Sequence, residues 1–383
     1  MKLSKETTEL VRMSLNLKRQ IVDYYKKDRD IPKYKSIIEK KFANPSDGLL
    51  DEVDGIDWFI HNYRFRNGDT FIDRFIRSHE ALSKLEIEIL NGWKDSVYSW
   101  FQVKSVDKET ITLLSLLDGQ EYITTSNLGT RAIKQFKVSH FVLTRLVPMH
   151  NIYLLSGHVR ALPPDAKEYV ESRVSEALKS NMKLTFGGNK NKIAEAWKSQ
   201  KERRREFISY FGRDTIIVPG NKVIEAMNDF FGYTKSLALS RLPESEREKY
   251  KNIPFNGSYP DSLSEVDTVG IIFDEVEGIN LYPHFDLFIA AFSNPSNLAK
   301  EEYREAVLGY LWSDTISPLP FKRMVEMYPE NAGEVYKTLF KKDKWDNHKD
   351  FDNLMRKYKG RFLSAKERPC IIPVATPNHP ARD

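Results

Sequence analysis

The chain has almost no cysteine. Cys370 stands alone among 383 residues, which excludes an intrachain disulfide and a cysteine-cluster zinc site within one chain. It has no apolar run approaching the roughly 18 residues that span a bilayer, and "MKLSKETTELVR" at its start lacks the apolar core of a signal peptide. The expectation is a cytoplasmic protein that does not enter a membrane. It also lacks a strong excess of charge: 59 Lys and Arg against 54 Asp and Glu leave +5, a balance that permits nucleic-acid binding without demanding it.

What the chain does have is ordinary globular composition, 40% hydrophobic and 30% charged, over a length that suggests two or three domains. Residues 1–95 read as a helical region. Leu10, Val11, Met13, Leu15, Leu17, Ile21 and Val22 fall at mostly helical spacing, Pro32 marks a stop, and "NPSDG" reads as a turn. Trp58, Phe59, Phe71 and Phe75 are the expected core of the next helices.

The period changes at Val97. Phe101 and Val103 alternate with Gln102 and Lys104, and Ile111 to Leu117 is a β-compatible run. Asp118 and Gly119 suit a type I′ hairpin turn, and Tyr122 and Ile123 continue the partner strand. "FVLTRLVPMHNIYLLSGHV" supplies two more strands around a turn at Pro148 to Asn151. Five short strands with both faces partly apolar predict a small barrel-like domain over 96–165, because closure removes exposed edges. Asp165 is the expected cap of the helix that follows.

Beyond it come a helical segment with a basic helix over 166–242, a connection over 243–265 rich in Pro, Ser and Gly, a mostly helical domain over 266–368, and a flexible tail over 369–383. The fold class is therefore α+β.

Three stretches, "GWKDSVYSWFQVKSVDKETITLLSLLDGQEY", "TIIVPGNKVIEAMNDFFGY" and "EGINLYPHFDLFIAAFSNPSN", resemble an uncharacterised group of Bacillus-like bacterial proteins related to those that end in a SEC-C zinc motif. That resemblance implies an adaptor role. "KERPC" looks like the start of the zinc-binding tail, but the later cysteines are missing, so no zinc or other cofactor is expected.

Three stretches offer chemistry. In "YPHFD", His284 and Asp286 are a base and its orienting carboxylate in a hydrolase with Glu277, or a metal site with Asp274, Glu275 and Glu277. The simpler reading makes His284 a turn histidine and Asp286 a helix cap. "TFGGNKNK", Thr185 to Lys192, has a Gly-Gly turn before a helix, where exposed amides attract phosphate, but it lacks P-loop spacing and reads first as a plain turn. In "WKSQKERRREF", Lys198, Lys201 and Arg205 share a helical face suited to phosphates, while Glu202 and Glu206 offer self-pairing instead. Lys357, Tyr358 and Arg361 in "RKYKGRF" form a second cationic stretch with an aromatic that stacks on bases or anchors a helix. His61, His140, His150 and His158 are scattered along the sequence and form no ligand set.

The sequence thus points to a non-enzymatic binding protein with RNA or a ribonucleoprotein as favoured ligand. A protein-interaction adaptor is the alternative and a hydrolase the third reading. The purified chain is expected to hold no stoichiometric structural zinc. Elemental analysis after dialysis that finds one zinc per chain contradicts this reading of the tail.

Overall fold

In the computed structural model, residues 4–42, 52–251 and 260–370 are described. The "NPSDG" turn and nearly all of the expected tail fall outside them. The chain forms two compact units, Met1–Lys190 and Asn191–Asp383, so the N-terminal helices and the β-unit share one unit.

The first unit begins with α1 (Lys5–Lys27), α2 (Ile31–Lys41), α3 (Glu52–Asn62), α4 (Phe71–Ser78) and α5 (Lys84–Trp93). The Ser4 side chain accepts from the Thr7 amide at the start of α1. Capping boxes of Thr70 with Asp73 and Ser83 with Glu86 start α4 and α5. Pro32 does not end a helix. It occupies the first turn of α2, where the missing N–H is unused. Phe59, Phe71 and Phe75 are fully buried, as expected, and Trp58 packs at their edge. Tyr34 lies 4.6 Å from Phe59, ring centre to ring centre.

The β-unit comprises β1 (Val97–Val106), β2 (Ile111–Ser115), β3 (Glu121–Thr125), β4 (Phe141–Met149) and β5 (Ile152–Leu162), with α6 (Thr130–Ile133) between β3 and β4. Their order is β1-β2-β3-β5-β4, and β1 also pairs with β4. The ring closes through a parallel seam of only two residue pairs, Thr124 with Tyr153 and Thr125 with Leu154. The sheet is therefore barrel-like, with one weakly bonded seam. Phe101, Val103, Ile111, Leu113, Tyr122, Val142 and Leu146 fill its interior. The turn at Asp118 differs from the expected two-residue type: the Gly119 amide bonds back to the Ser115 carbonyl at 3.0 Å, and only Gly119 has positive φ. Asp118 instead turns its carboxylate inward to the Tyr122 hydroxyl. Val147, Met149, Ile152 and Leu154 at the β4–β5 hairpin belong to the core of the helices, so one hydrophobic cluster joins helices and sheet. α7 (Lys167–Ser180) covers Phe141 and Trp100, and Asp165 makes no side-chain cap there, lying in a 3₁₀ turn before it.

The second unit contains α8 (Lys190–Phe211), β6 (Thr215–Pro219), α9 (Val223–Ser240), α10 (Glu244–Lys251), β7 (Thr268–Asp274), β8 (Gly278–Pro283), α11 (Phe285–Ser293), α12 (Glu301–Trp312), α13 (Leu319–Met327), α14 (Pro329–Phe340) and α15 (Lys349–Leu363). The expected connection over 243–265 is thus partly helical, through α10. The three strands form an antiparallel sheet ordered β6-β7-β8. Val269, Ile271 and Phe273 face Phe207 and Phe230, while Ile272 and Tyr282 face Phe285 and Phe288. Mixed α+β architecture with a helical C-terminal half follows the expectation.

Phe59→Ala removes the ring at the centre of the N-terminal aromatic cluster. It is expected to lower unfolding free energy by about 3–5 kcal/mol in urea denaturation. A loss below about 1 kcal/mol would show that this cluster is not close-packed.

Candidate binding site at the helix–sheet junction

The catalytic candidates do not converge. Glu277 lies in the β7–β8 turn and His284 beyond the other end of β8, and seven residues of extended chain span about 23 Å. His284 is the left-handed residue before α11, and its amide bonds the Thr268 carbonyl at 2.9 Å. Asp286 accepts from the Thr268 hydroxyl. Among the described residues no three His, Cys, Asp or Glu side chains gather as a metal-ligand set.

The Gly-Gly turn does not face an open phosphate site. A Cβ at Gly187 would collide with the Asp118 carboxylate, and the Asn189 amide donates to the Asp118 carbonyl at 3.2 Å. A carboxylate already occupies the place where a phosphate would approach.

The basic helix forms, and Lys198, Lys201 and Arg205 share its exposed face. Lys201 pairs with Glu275 at 3.0 Å, Arg203 with Glu206 at 3.4 Å and Arg204 with Asp214 at 2.6 Å. Both helix glutamates also meet Arg241. On α15, Lys357 lies 5.0 Å from the Tyr358 ring centre, and Arg361 is 3.7 Å from Asp314.

A dense polar cluster lies elsewhere, where α1 and α3 meet β4 and β5. Asp54, Asp57 and His61 are spaced i, i+3 and i+7, so α3 presents them on one face. Gly157, with φ of 69°, lets β5 come close: a Cβ there would lie 3.3 Å from Asp57 Oδ2 and 3.5 Å from Asp54 Oδ1. The β4–β5 register shifts beside it, between Leu143 and Arg145, and the irregularity aims Ser156 and the His158 amide at the two carboxylates.

Asp57 is the hub. Arg145 Nε donates to its Oδ2 at 2.5 Å, Lys18 Nζ donates to its Oδ1, and the Ser156 hydroxyl donates to Oδ1 at 3.0 Å. Lys18 reaches Ser156 Oγ at 3.1 Å and His61 Nε2 at 3.3 Å, using all three of its donors. His61 Nδ1 lies 3.3 Å from the Trp93 carbonyl. A proton on Nδ1, leaving Nε2 to accept from Lys18, satisfies both contacts. Arg145 Nη1 donates to Asn62 Oδ1 at 2.6 Å and Ser96 Oγ at 3.0 Å. Arg160 donates to Asp54 at 2.7 Å, and the His158 amide donates to Asp54 at 3.3 Å.

Burial alone would raise the Asp57 pKa, but Lys18, His61 and Arg145 offset it and hold the carboxyl well below the usual carboxylate range. Burial, reinforced by Lys18 and Arg145, lowers His61 to about 3 against the pull of Asp57. Burial and the Asp54 charge push Tyr98, on β1 beside the cluster, up to about 12. A cleft of about 40 Å³ opens here, lined by Phe42, Trp58 and Tyr98 together with Asp54, Asp57, Arg145 and Ser156.

Residues 1–212 match DUF7986, a family of unknown function. The chain belongs to this family. The match covers the whole first unit, and with it every residue of the cluster. No curated protein and no solved structure matches the chain. No relation to SEC-C proteins emerges.

Sequence reading left His61 and His158 as isolated histidines, and the structure brings both to the carboxylates of α3. One signal was present: "DEVDGIDWFIHN" places two aspartates and a histidine on a helical face that also carries Gly55 and Phe59 beside it. Their partners lie 32 to 106 residues away in sequence, and no local pattern names them.

The pH dependence follows from these shifts. Both folded pKa values lie below the unfolded ones, so the unfolded chain takes up protons first and stability falls as pH drops. His61 contributes from about 6.5 down to about 3, and Asp57 from about 3.9 down. The first unit is expected to lose on the order of 3 kcal/mol between pH 7 and pH 4 through His61. His61→Gln should flatten this limb in thermal melts. Parallel wild-type and variant profiles above pH 4 contradict a neutral buried His61.

Proposed function

We propose that this protein is a non-enzymatic, cytoplasmic binding protein that docks a protein partner on its first unit. The observation that carries this reading is a set of exposed apolar side chains from β3 to the start of β4. Leu128 is 78% exposed, Val138 55% and Ile123 42%. Single exposed apolar residues are common, but three within one connected segment favour an interaction surface. The arginines of the strands are not offered to a ligand, because Arg145 and Arg160 turn into the carboxylates of α3, while Lys104, Lys108, Arg131, Lys134 and Lys137 remain exposed. Among the described residues no helix is long and apolar enough to cross a membrane.

A second reading, RNA or a ribonucleoprotein, rests on connectivity. A five-stranded closed sheet ordered β1-β2-β3-β5-β4, with a short helix before β4, is the arrangement used by oligonucleotide- and oligosaccharide-binding barrels. This is likeness at fold level, which fixes no ligand. The pairing of Lys201, Arg203 and Arg204 with carboxylates weakens it.

Capture from native lysate with the full chain as bait separates the two. The protein-docking reading expects a defined partner that survives ribonuclease and is lost with Leu128→Asp plus Val138→Asp at unchanged melting temperature. Ribonuclease-sensitive capture, with a salt slope that falls by roughly 2 when Lys198, Lys201 and Arg205 are all changed to Glu, favours RNA instead.

A further inference from the structure

Arg145 is 3% exposed, and three of its contacts are accounted for: Nε on Asp57, and Nη1 on Asn62 and Ser96. Its Nη2 has no hydrogen-bond partner among the described residues, although the side chain lines the cleft beside α3. That nitrogen is not sealed from solvent, so an acceptor can reach it. Tyr98, 37% exposed, lines the same cleft, and its ring lies 5.4 Å from the Arg145 guanidinium carbon. Its hydroxyl also has no partner among the described residues. Among the described groups of the cluster, Lys18, Arg145 and Arg160 face Asp54 and Asp57, with His61 neutral, so three cations meet two anions.

We propose that the cleft is a binding site for a compact carboxylate, held by Arg145 Nη2 and the Tyr98 hydroxyl against the rings of Trp58 and Phe42. The chemistry is selective for three reasons. The cleft of about 40 Å³ is small, which suits a compact group such as a carboxylate. A single open guanidinium nitrogen beside a hydroxyl offers donors from two directions, which suits two carboxylate oxygens. The apolar rings favour an organic anion over a strongly hydrated inorganic one. Trp58 and Phe42 stand 83° apart at 5.3 Å between ring centres, forming an apolar corner for the carbon that bears the carboxylate. An acidic side chain, a chain terminus and a small organic acid share this chemistry. That a protein partner supplies it rests on the protein-docking reading above.

The test uses the full chain labelled with ¹⁵N at tryptophan, the Trp58 indole signal assigned by Trp58→Phe. Sodium propionate should shift that signal saturably, with a Kd below about 100 mM, whereas chloride at equal ionic strength and neutral propionamide should not. Tyr98→Phe, which keeps the ring and removes one donor, should weaken binding roughly fivefold to tenfold. Arg145→Lys is unsuitable as the sole variant, because it also releases Asn62 and Ser96. Peptides with a glutamate and an amidated end, or with a free end and no acidic side chain, identify the bearer if either binds more tightly than propionate. No saturable shift, or equal affinity for propionate and propionamide, overturns the proposal. So does an affinity untouched by Tyr98→Phe. If propionate binds and no protein partner is captured, the site stands and the docking reading falls; a captured partner with no propionate binding gives the reverse.

Discussion

A single buried carboxylate shared by two cations ties the first unit together. Asp57 sits on α3, Lys18 on α1 and Arg145 on β4, so the group that must not lose its partners is the one that spans helices and sheet. Taking a charge out of water costs several kcal/mol. Removing one partner of such a pair typically destabilises by about 3–5 kcal/mol, because the other charge is left buried alone. The surrounding contacts follow from that constraint. Ser156 and the His158 amide satisfy further carboxylate oxygens, His61 takes the third Lys18 donor, and Gly157 lets β5 approach closely enough for these bonds to form. Hydrophobic burial supplies the gross stability through Val147, Met149, Ile152 and Leu154. The charged cluster adds register, since a one-residue slip of β5 would turn Ser156 away from Asp57.

The second unit uses the same logic at lower burial. Asp214 receives Arg204 at 2.6 Å and both terminal nitrogens of Arg323 at 3.1 and 3.2 Å, joining α8 and α13 to the start of β6. Gln200, fully buried, donates to the carbonyls of Glu275 and Val276 and accepts from the Cys370 amide at 2.6 Å. Lys359, also buried, donates to the carbonyls of Tyr310 and Ser313 at the end of α12. Residues that read in sequence as a basic surface are thus partly structural. Arg204 and Lys359 belong to caps and ties, while Lys198 and Arg205 extend into solvent.

Local periodicity made much of the fold legible. The helical spacing through α1, the change of period at Val97 and the five strands are all present, because each depends on residues close in sequence. The failures share a cause. Asp118 looked like half of a tight turn, yet Tyr122 and the Gly187 loop draw its carboxylate inward. Glu277 and His284 looked adjacent in sequence, but a strand lies between them. The cluster around Asp57 was legible only as one polar face of α3, because an aspartate on a helix and an arginine in a strand acquire meaning only when tertiary packing brings them together. Sequence reasoning therefore found the scaffold, while its catalytic and cationic candidates fall in the second unit and the cluster around Asp57 in the first.

Because Asp57 joins them, the helices and the barrel-like sheet of the first unit open together. Native-state hydrogen exchange on the full chain tests it most directly, comparing amides of α3 with those of β4 in wild type and in Asp57→Ala. Joint opening predicts one shared free energy for both elements, lowered by about the same 3–5 kcal/mol in the variant. Loss of protection confined to α3, with β4 exchanging as in wild type, would contradict it.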